Sequence, residues 1–272
     1  PVSGHLGVTG TCTLIRKRFY WKNMKVDIKN WVAACHPCQR RKMGKQNSIG
    51  KRRTVLQKRP FETVSIDLVG PFPETADGYK YVLTMVCHFT RYPIAVPIVS
   101  KEAKVIARAL KRHLFTEYPF WPTKILSDRG TEFVNSIIDI LYKQLGVKQK
   151  MTTHDNAQAN QVERFHRYMN AAISCFIQQK ERQLLWEEYL DCAVYVYRCM
   201  TNSATGHSPF YALYGVEPIR PMDMILNGGK HIPKYDKVND YIEVIKVGMK
   251  EAYSVMHQNQ ISMAAQRIRS RA

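Results

Sequence analysis

Three acidic residues and one close pair of cysteines are the parts of this 272-residue sequence whose types and spacing could do chemistry. Asp67 ends the alternating run Thr63-Val64-Ser65-Ile66, shortly before a Gly-Pro break, so it is expected on the polar face of a strand, at a sheet edge facing an open cleft. Asp128 follows the apolar segment KILS and opens the turn SDRGTEF, the kind of place, outside the carboxyl end of a strand, where α/β sheets bind ligands. Glu163 lies in NQVERFHR on the first turns of an expected helix, with Arg167 one turn later and Val162, Phe165 and Met169 on the inner side. Three carboxylates can hold a pair of divalent cations that activate a nucleophile and steady the leaving oxygen in phosphoryl transfer. Hard oxygen ligands suit Mg²⁺ or Mn²⁺ rather than Zn²⁺. Taken singly, each acid also has an ordinary use: strand cap, turn residue, or a carboxylate favoured by a helix dipole.

Cys35-His36-Pro37-Cys38 holds the close pair among seven cysteines. An odd count without a secreted context argues against a disulfide framework. Two thiolates at this spacing can grip one face of a tetrahedral Zn²⁺, and a closed structural site then needs two further ligands. His5, in GHLG, is the natural third, because a folded helix pair would return it to the cysteines. The fourth stays open: His36 sits awkwardly between the two thiols, and Cys12 is expected to point into the helix pair. A redox role for the pair is the alternative, although no βαβ pattern surrounds it.

The elements that must position these groups follow from periodicity. Apolar spacing of three or four predicts short helices over 8–19 and 24–34, with Leu14, Val26, Trp31 and Val32 turned inward and Tyr20, Trp21 and Trp31 in a small core. The stretch from Arg40 to Pro60 is basic and aperiodic, as a linker would be. Strands are expected from Phe61 to the GPFP break and over 79–86, 92–99 and 123–127, with a short segment over 147–151. Helices are expected over 102–116, 134–145, 160–179, 186–200 and 235–268. That order indicates an α/β layer. The expected division is a helical zinc-binding domain at 1–42, a basic linker at 43–60, a catalytic core at 61–218, and an extension at 219–272, mostly helical from about 235.

The charge is concentrated. Of a net +19, residues 1–60 hold 15 Lys and Arg against one acid, a net +14, while residues 61–215 carry +2. A polyanion, most commonly nucleic acid, is the physical partner for such a field. Arg40, Arg41, Lys42, Lys51, Arg52 and Arg53 are expected to meet phosphates without reading sequence. No apolar run approaches membrane-spanning length and no signal peptide is visible, so a soluble intracellular protein with no membrane partner is expected. A start at Pro rather than Met fits a piece of a longer product.

The segment from GHLGVTG through CHPCQRRK resembles the His-His-Cys-Cys zinc domain of retroviral and Ty3/Gypsy-type retrotransposon integrases. ETVSIDLVGPFP, KILSDRGTEFVNS and NQVERFHRYMN resemble the three blocks of their Asp-Asp-Glu core, and NSATGHSPFYALYGVEP is similar to the segment that closes it in the Gypsy branch. The resemblance runs from residue 5 to about 220. It implies a ribonuclease H-like mixed sheet with flanking helices, preceded by the small helical zinc domain. Asp67, Asp128 and Glu163 match the catalytic acids that hold two Mg²⁺ or Mn²⁺, and His5, Cys35 and Cys38 match three of four zinc ligands; the family's first zinc histidine would fall ahead of Pro1. The spacing between Asp128 and Glu163 is one residue shorter than is usual, within MTTHDNAQANQ. The implied activity is that of a DNA integrase, a polynucleotidyl transferase that trims 3′ ends of element DNA and joins them to target DNA. A homo-oligomer and a nuclear location, with a cytoplasmic phase inside a retroelement particle, go with it. Arg164, His166 and Arg167 would then lie where a helix crosses DNA, within reach of phosphates, and His154 and Asp155 in a loop near the site. The other reading is a domesticated, non-catalytic DNA-binding protein derived from such an integrase.

Overall fold

Helix α1 (Val8–Arg16) and helix α2 (Met24–Ala33) form the first described part of the chain. The structure, a computed structural model, describes residues 6–35, 57–151, 160–177, 184–220, 223, 225, 235 and 237–269. Met24, Ile28 and Val32 recur every four residues, so they form one stripe of α2, and that stripe meets Cys12, Val8 and Ile15 of α1. This corrects the expected inward face: Val26 lies off the stripe and is exposed, Leu14 is only half-buried, and Trp31 is 65% exposed. Tyr20 and Trp21 occupy the turn between the helices rather than a core, Tyr20 being 88% exposed. The Trp21 indole N–H instead donates to Asp27 Oδ2 at 2.7 Å.

A five-stranded sheet follows, built from β1 (Thr63–Val69), β2 (Tyr81–Cys87), β3 (Pro93–Ile98), β4 (Lys124–Ser127) and β5 (Lys148–Met151), in the order β3-β2-β1-β4-β5. The first three strands are joined by short connections and run antiparallel, whereas β4 and β5 arrive after helical crossovers and run parallel to β1. β1 is therefore central. Thr63 to Ile66 are buried on both faces, and the sheet's polar and apolar alternation marks two layers rather than water on one side. Gly70 ends β1 at φ 134, where a side chain would come within 2.7 Å of the Lys80 carbonyl, so the chain leaves the sheet just beyond Asp67.

Helix α3 (Ala103–Leu110) runs on into a π-helical turn, Lys111–Thr116. Helix α4 (Ser136–Gln144) is capped by Asn135, whose side-chain oxygen accepts the Ile138 N–H. Helix α5 (Asn160–Phe176) lays Val162, Phe165, Met169 and Ile173 on Val82 and Val86 of β2, together with Trp186, Leu190 and Val194 of α6 (Trp186–Cys199). The inner face of α5 is the one its 3.6-residue period predicts. That burial, together with Phe72 stacked on Trp186 at 4.8 Å, fixes the helix that carries Glu163.

Residues 1–197 and 198–272 form two compact units. The second contains α7 (Pro209–Tyr214) and the long α8 (Val238–Arg269). Ser208 caps the start of α7, and Gly215, at φ 73, closes its end. A Cβ on Gly248 would lie 2.3 Å from the Gly215 carbonyl, so this contact requires glycine at 248. Ala252 and Met256 of α8 are fully buried. No helix among the described residues is long and apolar enough to cross a membrane.

Candidate active site

Asp67 and Asp128 come together because β1 and β4 are parallel neighbours. Ser65 pairs with Leu126, and each acid lies two residues further along its own strand direction, at the carboxyl edge of the sheet. Each carboxylate has one oxygen tied locally. Asp67 Oδ1 accepts the Leu68 N–H at 2.8 Å, and Asp128 Oδ1 accepts the Gly130 N–H at 2.9 Å. Burial pushes the Asp67 carboxyl up from 3.8 to about 6; the Leu68 N–H opposes this, and the charges of Asp128 and Glu132 add to it.

Glu132 was not singled out from sequence. It stands four residues after Asp128 in SDRGTEF, and its carboxylate covers Gly130 so closely that a Cβ there would meet it at 2.7 Å. Gln149, on β5, was also missed. Its Nε2 donates to Ser127 Oγ at 3.0 Å and to the Phe133 carbonyl at 2.9 Å, tying together both ends of the turn that carries Asp128. An amide within the lysine-flanked KQK segment was the only sequence signal.

Glu163 is exposed on α5, and its Oε1 accepts from Arg167 Nη2 at 3.2 Å, as the spacing of four implied. Arg164 is exposed beside it. His166 does not point outward with these arginines. It shares the inward side of the first turns, 14% exposed, with Nε2 at 2.5 Å from Thr84 Oγ1 and Nδ1 at 3.6 Å from Asp67 Oδ2. Burial holds the imidazole well below its ordinary value, at about 4, so it is neutral at physiological pH. A second buried histidine, His88, bonds Ser65 Oγ at 2.5 Å behind the sheet edge; burial, then Arg91 and Lys124, lowers it to about 3.

Among the described residues, no three His, Cys, Asp or Glu side chains converge closely enough to hold a metal ion. The donor set nonetheless suits divalent cations: Asp67, Asp128 and Glu132 place negative charge together, and the polar contacts described for Asp67 and Asp128 are backbone N–H groups and a neutral imidazole. Cys35 stands just past the end of α2, half-buried. His5 and Cys38 lie outside the described residues, as do Arg40, Arg41, Lys42, Lys51, Arg52, Arg53, His36, His154 and Asp155.

An antiparallel trio, β3-β2-β1, extended on one side by two parallel strands, with an acid near the end of β1 and another after β4, defines a ribonuclease H-like core. Residues 57–157 match the integrase core domain, and residues 2–44 match the integrase zinc binding domain. These two domains, with the relatives that follow, support an integrase of the Ty3/Gypsy retrotransposon type. It is 31% identical over 252 residues to a retrovirus-related Pol polyprotein from transposon 412 of Drosophila melanogaster, covering 92% of this chain and 20% of that protein. It is 24% identical over 261 residues to the human Gypsy retrotransposon integrase-like protein 1, covering 95% of this chain and 48% of that protein. The chain thus spans a fifth of the first relative and about half of the second. The catalytic core domain of BIV integrase aligns with a TM-score of 0.45 and 20% identity, over 56% of this chain and 93% of that one.

Proposed function

We propose that this chain is a metal-dependent DNA strand transferase that trims DNA 3′ ends and joins them to target DNA. The observation that carries the reading is the juxtaposition of Asp67 and Asp128 at adjacent strand ends, with the Asp67 carboxyl held up by burial and by neighbouring carboxylates. Asp67, Asp128 and Glu163 would hold two Mg²⁺ or Mn²⁺, which supply activation of water or a DNA 3′-hydroxyl and stabilise the leaving oxygen. The chain's own part is placement. Gln149 sets the Asp128 turn and α5 sets Glu163; on binding a cation Glu163 would give up Arg167, and that guanidinium would then be available to a phosphate. Arg164 would sit on the same DNA track.

His5, Cys35 and Cys38 would hold one Zn²⁺. Among the described residues the buried cluster between α1 and α2 is Cys12, Met24, Ile28 and Val32, with Val8 and Ile15 packed against it, a small core that a bound metal would reinforce. Arg40, Arg41, Lys42, Lys51, Arg52 and Arg53 would anchor DNA by charge. A homo-oligomer acting in the nucleus, after a cytoplasmic phase in a retroelement particle, completes the reading. Strand transfer of short duplex ends into plasmid DNA, with Mg²⁺ or Mn²⁺, tests it. Products from wild type but not from Asp128→Asn are expected. Equal products from both proteins overturn it, and DNA binding by both with no products from either supports the domesticated, non-catalytic alternative.

A further inference from the structure

The hydrogen-bond count around Thr84 fixes the tautomer of His166. Thr84 Oγ1 lies 2.9 Å from the Asp67 backbone carbonyl, which can only accept, so the single hydroxyl proton belongs there. The 2.5 Å contact between Thr84 Oγ1 and His166 Nε2 then requires Nε2 to be the donor. In the neutral imidazole this leaves Nδ1 as a bare lone pair, and Nδ1 faces Asp67 Oδ2 at 3.6 Å. That separation is too long for a hydrogen bond. Two electron-rich atoms fixed across a gap of this size, one on a fully buried threonine's partner and one on a strand-end carboxylate, leave room for a cation between them.

We infer that His166 is a ligand residue of the site: its Nδ1 supplies a nitrogen donor to the cation held by Asp67. This rests on the reading of Asp67 as a cation ligand. The arrangement is built from three elements. β2 supplies Thr84, which aligns the ring through Nε2; β1 supplies the carbonyl that orients the hydroxyl, and the carboxylate opposite Nδ1; α5 supplies His166, one turn after Glu163 and turned inward. A second partner that fixes the tautomer of a ligating histidine is the usual support for such a ring. The chemical consequence is selectivity: imidazole nitrogen favours Mn²⁺ and later transition ions over Mg²⁺, which prefers oxygen.

The test uses the full chain with its zinc domain saturated by Zn²⁺ and Mn²⁺ alone as the probe. Electron spin-echo modulation of bound Mn²⁺ should show ¹⁴N coupling in wild type. His166→Asn should lose that coupling and bind Mn²⁺ at least about tenfold more weakly, with Mg²⁺ affinity changed less. Because the decisive signal is read on the unaltered protein, a poorly folded variant does not blunt the test. Mn²⁺ bound by wild type without ¹⁴N coupling, or coupling that persists in His166→Asn, overturns the inference while leaving Asp67 as a ligand. Wild type that binds no Mn²⁺ beyond an Asp67→Asn variant overturns both this and the reading on which it rests.

Discussion

Asp67→Asn should stabilise the protein when no divalent cation is supplied to the core, a reversal of the usual cost of altering a half-buried strand residue. Asn keeps an oxygen for the Leu68 N–H and removes a charge that burial and two carboxylates oppose. A carboxyl moved from 3.8 to about 6 costs the folded state at most about 3 kcal/mol, at ~1.4 kcal/mol per tenfold. With 39% of the side chain exposed, solvent screening reduces this to about 1.5 kcal/mol. The sign follows from the order of ionisation. Below pH 3.8 the carboxyl is protonated in folded and unfolded chains alike and costs nothing. Between 3.8 and about 6 the unfolded chain ionises first and folding loses ground, and above about 6 the whole cost is present. Urea denaturation followed by fluorescence, with Trp186 buried in the α5 cluster as reporter, should therefore place the variant above wild type at pH 8, with the gap closing toward pH 4. Adding Mg²⁺ should stabilise wild type alone. A variant equal to or weaker than wild type at pH 8, or a gap that does not depend on pH, refutes the electrostatic account of the strand ends.

Glu163→Gln should reduce strand transfer by on the order of 10²–10³ while moving stability by less than about 0.5 kcal/mol in urea titration, since its pair with Arg167 is 59% and 56% exposed. Gln149→Ala leaves Ser127 Oγ and the Phe133 carbonyl without this donor, and should cost about 1–3 kcal/mol in the same titration and raise the Mg²⁺ concentration needed for half-maximal product. Chelating zinc, or Cys35→Ser, should melt α1 and α2, seen as a loss of helical circular dichroism, while the Trp186 signal of the core persists.

Periodicity made α5 legible because its inner residues, Val162, Phe165 and Met169, are large and spaced for one face, and nothing competes with that face. The same signal misled in α2, where two apolar stripes are available. Met24, Ile28 and Val32 meet α1 while Val26 and Trp31 do not, and only the partner helix decides between them. Alternation in β1 was legible as a strand but not as a central one. Burial of Thr63 and Ser65 depends on β2 and β4 flanking it, a pairing set by distant segments. Asp67 and Asp128 could be read from strand-end position alone. Glu132, Gln149 and the inward turn of His166 could not, because each acquires its role from a neighbour on another element or across a turn: Asp67 for Glu132, Ser127 and Phe133 for Gln149, Thr84 for His166.

The unequal distribution of charge and the open arrangement of Glu163 bear on each other. Residues 1–60 hold most of the net +19, whereas the sheet edge gathers Asp67, Asp128 and Glu132. On the proposed reading, a phosphodiester at that edge would meet like charge unless cations lie between, so the core's acids would oppose DNA in their absence and favour it in their presence. Glu163 is exposed and paired with Arg167. That pair is worth about 0–1 kcal/mol, so giving it up for a divalent cation would cost little. Asp67, tied to the Leu68 N–H, and Asp128, within a turn clamped by Gln149, mark where charge gathers at the sheet edge, and on the proposed reading Glu163 would join them around a cation.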